Sequence, residues 1–160
     1  MIPGNTEGFM ENILWCVDNR LVHGKLVNVW LAYLKPKRVL IIDDRLAGDS
    51  FLSGIYRALV PIWMEVAVFS REDAGFYFRQ ERETDGREVV IVQSPVIFAQ
   101  LREQGIPINE IILMDRVYLP NKIKIPEEHR LALDKLLEKG TVIKVQLSPE
   151  EEPYLYQKEQ

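Results

Sequence analysis

The chain has 160 residues, 47% of them hydrophobic and 28% charged, with a net charge of −4 at pH 7. That length suits one domain whose core needs no disulfide or metal staple, and the acidic balance argues against a broad nucleic-acid surface, which requires clustered Lys and Arg. No apolar run approaches the ~20 residues of a membrane span. The opening residues "MIPGNTEGFM" have neither the basic start nor the apolar stretch of a signal peptide, so a cytoplasmic location is expected.

Five short, nearly continuous apolar runs punctuate the chain: Ile13–Val17, Val39–Ile42, Val66–Phe69, Val89–Val92 and Ile111–Met114. Strands of a parallel sheet read this way because both of their faces are covered. Cys16, the single cysteine, falls in the first run and reads as a small buried hydrophobe. Lys25–Lys35 has helical spacing, with Leu26, Trp30, Tyr33 and Leu34 on one face, and Pro36 stops it. Ser50 is expected to cap a second helix that turns Phe51, Ile55 and Leu59 inward and ends near Pro61. Ser70 with Asp73 resembles a capping box. Ser94-Pro95 starts a further helix that exits at Gly105. Pro126, Glu127 and Glu128 open a last helix, closed at Gly140, with Leu133, Leu136 and Leu137 packing. Thr141–Leu147 alternates apolar and polar residues and reads as an edge strand near the C-terminus with one wet face. Asp85-Gly86 and Pro120-Asn121 mark loops. Trp15, Trp30 and Trp63 read as core, and His129 as a solvated helix residue.

Strands alternating with helices at this spacing predict βαβ units with right-handed crossovers. The expected fold class is α/β, a three-layer α/β/α sandwich around a mainly parallel sheet.

The chemistry concentrates at "VDNRLVHGKLVNVW", Val17–Trp30, where the first strand gives way to the first helix. Ligands of open α/β sheets bind outside the carboxyl ends of the strands. The backbone N–H groups of Gly24, Lys25 and Leu26 at a helix start make an anion site. Arg20 offers paired N–H donors to phosphate, and Asp18 could fix one imidazole nitrogen of His23 so that the other is a nucleophile. On residues alone a plainer reading stays open, in which Asp18 caps the loop and Arg20 pairs with Asp43 or Asp44. The Asp43-Asp44 pair lacks the strand-end carboxylate after the third strand that a metal-binding receiver site would require.

The same stretch resembles the phosphorylation motif R-[VI]-D-[DN]-R-L-[IV]-H-G-Q-[VI], followed by V-W, of IIB subunits in the mannose/fructose/sorbose family of the bacterial phosphoenolpyruvate-dependent sugar phosphotransferase system. Asp18, Asn19, Arg20, Leu21, Val22, His23, Gly24, Val29 and Trp30 match in order. "RVLIIDDRLAGDSF" resembles the family's second strand and loop at Asp44, Ala47 and Asp49. "VVIVQSPVIFAQLREQGIPINEIIL" and "LLEKGTVIKVQLSPEEEP" resemble its later strands and helices. The likeness runs from Ile13 to Pro149. It sets a single IIB-like domain over 10–149, an N-terminal extension over 1–9 with Met10 as the expected natural start, and a polar tail over 150–160.

The resemblance implies a cytoplasmic phosphocarrier, peripherally associated with a membrane transporter. It would accept a phosphoryl group from a IIA phosphohistidine onto His23 and pass it to a sugar entering through membrane IIC and IID subunits. Arg20 would steady the phosphate and Asp18 orient the ring, with Gly24, Lys25, Leu26 and Ser94 around the phosphate. No metal or other cofactor and no nucleic-acid partner is implied. The chain departs from the pattern at Lys25, where the family has Gln, and at Met114, Asp115 and Arg116, where it often has glycines. That second departure motivates an alternative, a IIB-like regulatory protein phosphorylated on His23. No G-x-x-x-x-G-K or G-x-G-x-x-G supports nucleotide binding.

Overall fold

A computed structural model describes residues 12–80, 86–120 and 123–158. Among these, seven strands form one sheet: β1 (Ile13–Val17), β2 (Arg38–Ile42), β3 (Glu65–Phe69), β4 (Glu88–Val92), β5 (Glu110–Leu113), β6 (Val142–Val145) and β7 (Tyr154–Leu155). Their spatial order is β3-β2-β4-β1-β5-β6-β7. All pairs are parallel except β6 with β7. The expected extension over 1–9 and the turn residues Asp85 and Asn121 lie outside the described residues.

Among the described residues, six helical segments cover the sheet: α1 (24–34), α2 (Asp44–Ala47), α3 (Ser50–Leu59), α4 (Arg71–Arg79), α5 (Pro95–Glu103) and α6 (Glu127–Glu138). Leu26, Trp30 and Leu31 of α1, with Leu46 of α2, pack on Cys16, Val39, Ile41, Val89 and Ile91. Alternate residues of the same strands, Trp15, Val17, Leu40, Ile42 and Val90, meet Phe78, Phe98, Leu101, Leu133 and Leu136 of α4, α5 and α6 on the other face. Period-two strands that are apolar on both faces give this α/β/α sandwich. The predicted caps form at Ser70 and Ser94, whose side chains accept from Asp73 N and Val96 N. Gly105 and Gly140 take the left-handed backbone, φ 92° and 87°, that ends a helix cheaply only for glycine.

Several expectations are corrected. Thr141–Leu147 is not the outermost strand, because β7 pairs beyond β6 through Lys144↔Leu155 and Val145↔Tyr154. Its alternation still reports a wet face: Lys144 Nζ reaches across to Glu110 Oε1 on β5 at 2.6 Å. The polar tail carries this strand and buries Tyr156. In α1, Leu26–Leu31 is π-helical. Its i→i+5 repeat brings Trp30 and Leu31 together onto the face of Leu26 and leaves Tyr33 exposed. Asp49, not Ser50, caps α3, accepting from Leu52 N at 3.0 Å. Phe51, Ile55 and Leu59 point to solvent, as does Trp63, because Ser53, Leu52 and Tyr56 occupy the inward face. His129 is half-buried rather than solvated. Its Nδ1 lies 2.9 Å from the Tyr118 hydroxyl and the two rings stack.

One charged cluster sits inside the sheet. Arg38, Glu65 and Glu88 start three neighbouring strands and are register partners. Arg38 Nη1 donates to the fully buried Glu88 at 3.0 Å and Nε donates to Glu65 at 2.8 Å, while Tyr77 donates its hydroxyl to Glu88 at 3.0 Å. Burial opposes the charge of Arg38, yet the bonds to Glu88 and Glu65 hold its guanidinium above its ordinary value. Removing one member of such a pair strands a charge in the interior. Arg38→Ala is therefore expected to cost about 3 kcal/mol, or roughly 6–12 °C in Tm for a chain of this size. Thermal unfolding followed by circular dichroism checks this, and an unchanged Tm would contradict it.

Candidate active site

β1 is the central strand of the seven, fourth from either described sheet edge. The helix after β1 lies on one face of the sheet, whereas the helices after β4 and β5 lie on the other. Such a reversal opens a crevice at the carboxyl ends of the strands. The loop 18–23 lies at that crevice.

The loop is tied to the sheet before it turns. Asp18 N donates to Val92 O at 2.9 Å, one step beyond the last β1–β4 pair. Leu21 N then donates back to Asp18 O at 2.9 Å, and Leu21 adopts a left-handed φ of 55°. A bulky residue rarely accepts that conformation. Here the buried Leu21 side chain anchors in the cluster formed by Leu26, Trp30 and Met114. The turn delivers His23 to the first helical bond, Val27 N to His23 O at 3.0 Å. The N–H groups of Gly24, Lys25 and Leu26 precede that bond.

Asp18 is buried, and both its oxygens are used. Oδ1 accepts from Arg20 N at 3.0 Å and from Arg20 Nε at 3.4 Å. Oδ2 lies 2.7 Å from His23 Nε2. An ionised carboxylate only accepts, so Nε2 carries the proton and Nδ1 of the neutral ring keeps its lone pair. The His23 side chain is 16% exposed and that of Arg20 56%. A Cβ placed on Gly24 would meet nothing nearer than Asn28 Nδ2 at 4.0 Å, so protein packing does not require glycine there. Lys25 is exposed on the first turn, whereas Leu26 is buried and offers only its backbone. Ser94 lies two residues past β4, with its oxygen accepting from Val96 N to cap α5.

Arg20 pairs with Asp18 rather than with Asp43 or Asp44. Asp43 caps α2 by accepting from Leu46 N, and Asp44 accepts from Arg71 N at 2.8 Å. Where glycines were expected after β5, Met114 is buried and Asp115 accepts from Val117 N, capping a 3-10 turn, Arg116–Tyr118. Burial, then Asp18, push the Cys16 thiol well up, leaving it a neutral core residue below the site. Sequence reasoning gave no role to Gln93, whose Nε2 donates to Asn19 O at 3.0 Å and props the loop from the next strand. Its place one residue past an adjacent strand was the available signal.

Fold and site together define a doubly wound α/β domain that presents a carboxylate-held histidine at its switch point. The profile of the PTS system sorbose subfamily IIB component matches residues 13–157. The chain is 19% identical to the fructose-specific EIIB component of Bacillus subtilis (strain 168), over 88% of this chain and 90% of that protein. It is 25% identical to the sorbose-specific EIIB component of Klebsiella pneumoniae, over 71% and 69%. The crystal structure of the IIBSor domain of the Klebsiella pneumoniae sorbose permease superposes with a TM-score of 0.77 at 21% identity, covering 89% of this chain and 91% of that one. This chain belongs to the sorbose subfamily of PTS IIB components, within the mannose/fructose/sorbose family. IIB components are phosphotransferases of sugar uptake.

If Asp18 selects the tautomer, nitrogen-15 shifts of His23 at alkaline pH should report Nε2–H in the native protein and a mixture in Asp18→Ala. An Nδ1–H ring in the native protein would contradict the geometry.

Proposed function

We propose that this IIB component is a cytoplasmic phosphocarrier that accepts a phosphoryl group on Nδ1 of His23 and passes it to a sugar. The contact that carries this reading is Asp18 Oδ2 to His23 Nε2 at 2.7 Å. It fixes the ring and leaves Nδ1 as the available nucleophile. In the proposed step the Nδ1 lone pair attacks phosphorus on a IIA phosphohistidine. The P–N bond to the donor breaks, and its electron pair returns to the donor ring. His23 becomes a phosphoimidazolium whose positive ring faces the Asp18 carboxylate, which stabilises the product. Positioning and charge supply most catalysis in phosphoryl transfer. Arg20 and Lys25 provide cations, and the N–H groups of Gly24, Lys25 and Leu26 provide donors at a helix start. Ser94, while capping α5, keeps its hydroxyl hydrogen to donate to an anion.

Membership of the family extends the reading to partners. The family implies a IIA donor and membrane IIC and IID subunits, the sugar-specific names of its EIIB members suit a sugar acceptor, and on this reading the chain is held peripherally at the transporter. Among the described residues no helix is long and apolar enough to cross a membrane. The loop after β5 favours a second reading. Side chains of Met114 and Asp115 fill and cap it where glycines would leave backbone open, which suits a protein phosphorylated on His23 to control a partner.

Reconstitution with phosphoenolpyruvate, the general carrier proteins and the cognate IIA is expected to place one acid-labile phosphate on His23, absent in His23→Ala. Label elsewhere, or none with a competent IIA, would refute the assignment. Sugar phosphate formed with IIC and IID present separates transfer from regulation. Arg20→Ala is expected to slow phosphorylation by about 10-fold or more, the loss of one charge-assisted contact to phosphate, with an unchanged circular dichroism spectrum. A native rate would remove Arg20 from the site.

A further inference from the structure

α3 presents an outward face without a polar side chain. At 100° per residue, Gly54, Ala58, Phe51, Ile55 and Leu59 fill one continuous arc of the helix, and all five are exposed. Phe51 is 76% exposed, Ile55 45% and Leu59 49%. The turn leaving the helix adds Trp63, 62% exposed, and a fully exposed Ile62. Isolated exposed apolar residues need no explanation, but five large ones from one helix and its exit turn do. Helical spacing points Phe51, Ile55 and Leu59 together, as a buried helix would, yet among the described residues nothing covers them.

We propose that this face is where a second copy of the chain docks, in a two-fold dimer. Three observations select that occupant. The five large side chains expose on the order of 600 Å², most of the roughly 800 Å² per partner in a standard stable interface. The arc carries no charge, so an identical face meets it with no like-charge conflict, as an isologous contact demands. A receptor lies beside the knobs: an open hollow of about 360 Å³ bordered by Ala47, Gly48, Gly54 and Val68, with Ser50, Ser53 and Arg57 completing its lining. Roughly 150 Å³ suffices for a benzene ring, so each copy offers both the aromatic knob, Phe51, and a place for its partner's. A membrane surface fits less well. Amphipathic membrane-binding segments surround their apolar face with Lys and Arg, whereas α3 carries one basic residue, Arg57, on a chain of net charge −4.

The dimer would leave the His23 loop free. α3 connects β2 to β3, and β4 separates those strands from β1. The test is light scattering coupled to size exclusion on the full chain across a range of concentrations. The native protein is expected at twice the chain mass. Ile55→Glu and Phe51→Glu, both at exposed positions, are expected to halve that mass while leaving the circular dichroism spectrum and the rate of phosphorylation by IIA unchanged. Ala58→Cys is expected to give a disulfide-linked pair of chains on mild oxidation, the native Cys16 being buried. A native protein that stays monomeric at every concentration overturns the proposal, as does a dimer that survives both substitutions. Monomers that instead bind lipid vesicles through Phe51 and Ile55 would also overturn it.

Discussion

A buried carboxylate is costly unless every lone pair is engaged, and Asp18 organises this molecule's reactive end by meeting that demand. Its oxygens require donors from the next few residues, and the chain supplies them as the Arg20 amide and guanidinium and the His23 ring. Supplying them within five residues forces a tight turn. Leu21 adopts the left-handed conformation for that turn, and its side chain is pinned in the core. The tautomer of His23, the entry to α1 and the placement of Arg20 all follow from satisfying one acid.

The sheet makes this local solution useful. Asp18 still belongs to the strand ladder through Val92 O, so the imidazole hangs directly from the central strands of the sheet. Gln93 holds the same loop from β4. The opposite ends of β2, β3 and β4 are pinned by Arg38 with Glu65 and Glu88. A parallel sheet held in register at one end delivers its loops at fixed heights at the other.

Much of this was legible beforehand. Apolar runs identified five strands within a residue or two, because strands buried on both faces carry an unbroken hydrophobic signal. The trio Asp18, Arg20 and His23 was legible because its order matches a specific motif. Three things were hidden. The π-helical turn of α1 has no composition signature, so Tyr33 was placed inward on a 3.6-residue wheel it does not follow. In α3 periodicity reported that Phe51, Ile55 and Leu59 share a face, but not whether that face meets this chain's own core. Tyr154–Leu155 is too short to register as a strand and forms only because β6 offers its free edge.

That two-residue strand has a consequence for assembly. An unpaired strand edge is a template on which another chain can grow. β7 occupies the template beside β6 with very little backbone of its own to extend, while the far side of the sheet ends at β3 without a described strand beyond it. A sheet that is blunted on one side can recruit a neighbour on only one flank. Association through that flank terminates after one partner, because the joined pair then shows only blunted edges. Growth by strand pairing needs an open edge at each end of the unit, so the tail limits strand-mediated association of this protein to a single pair.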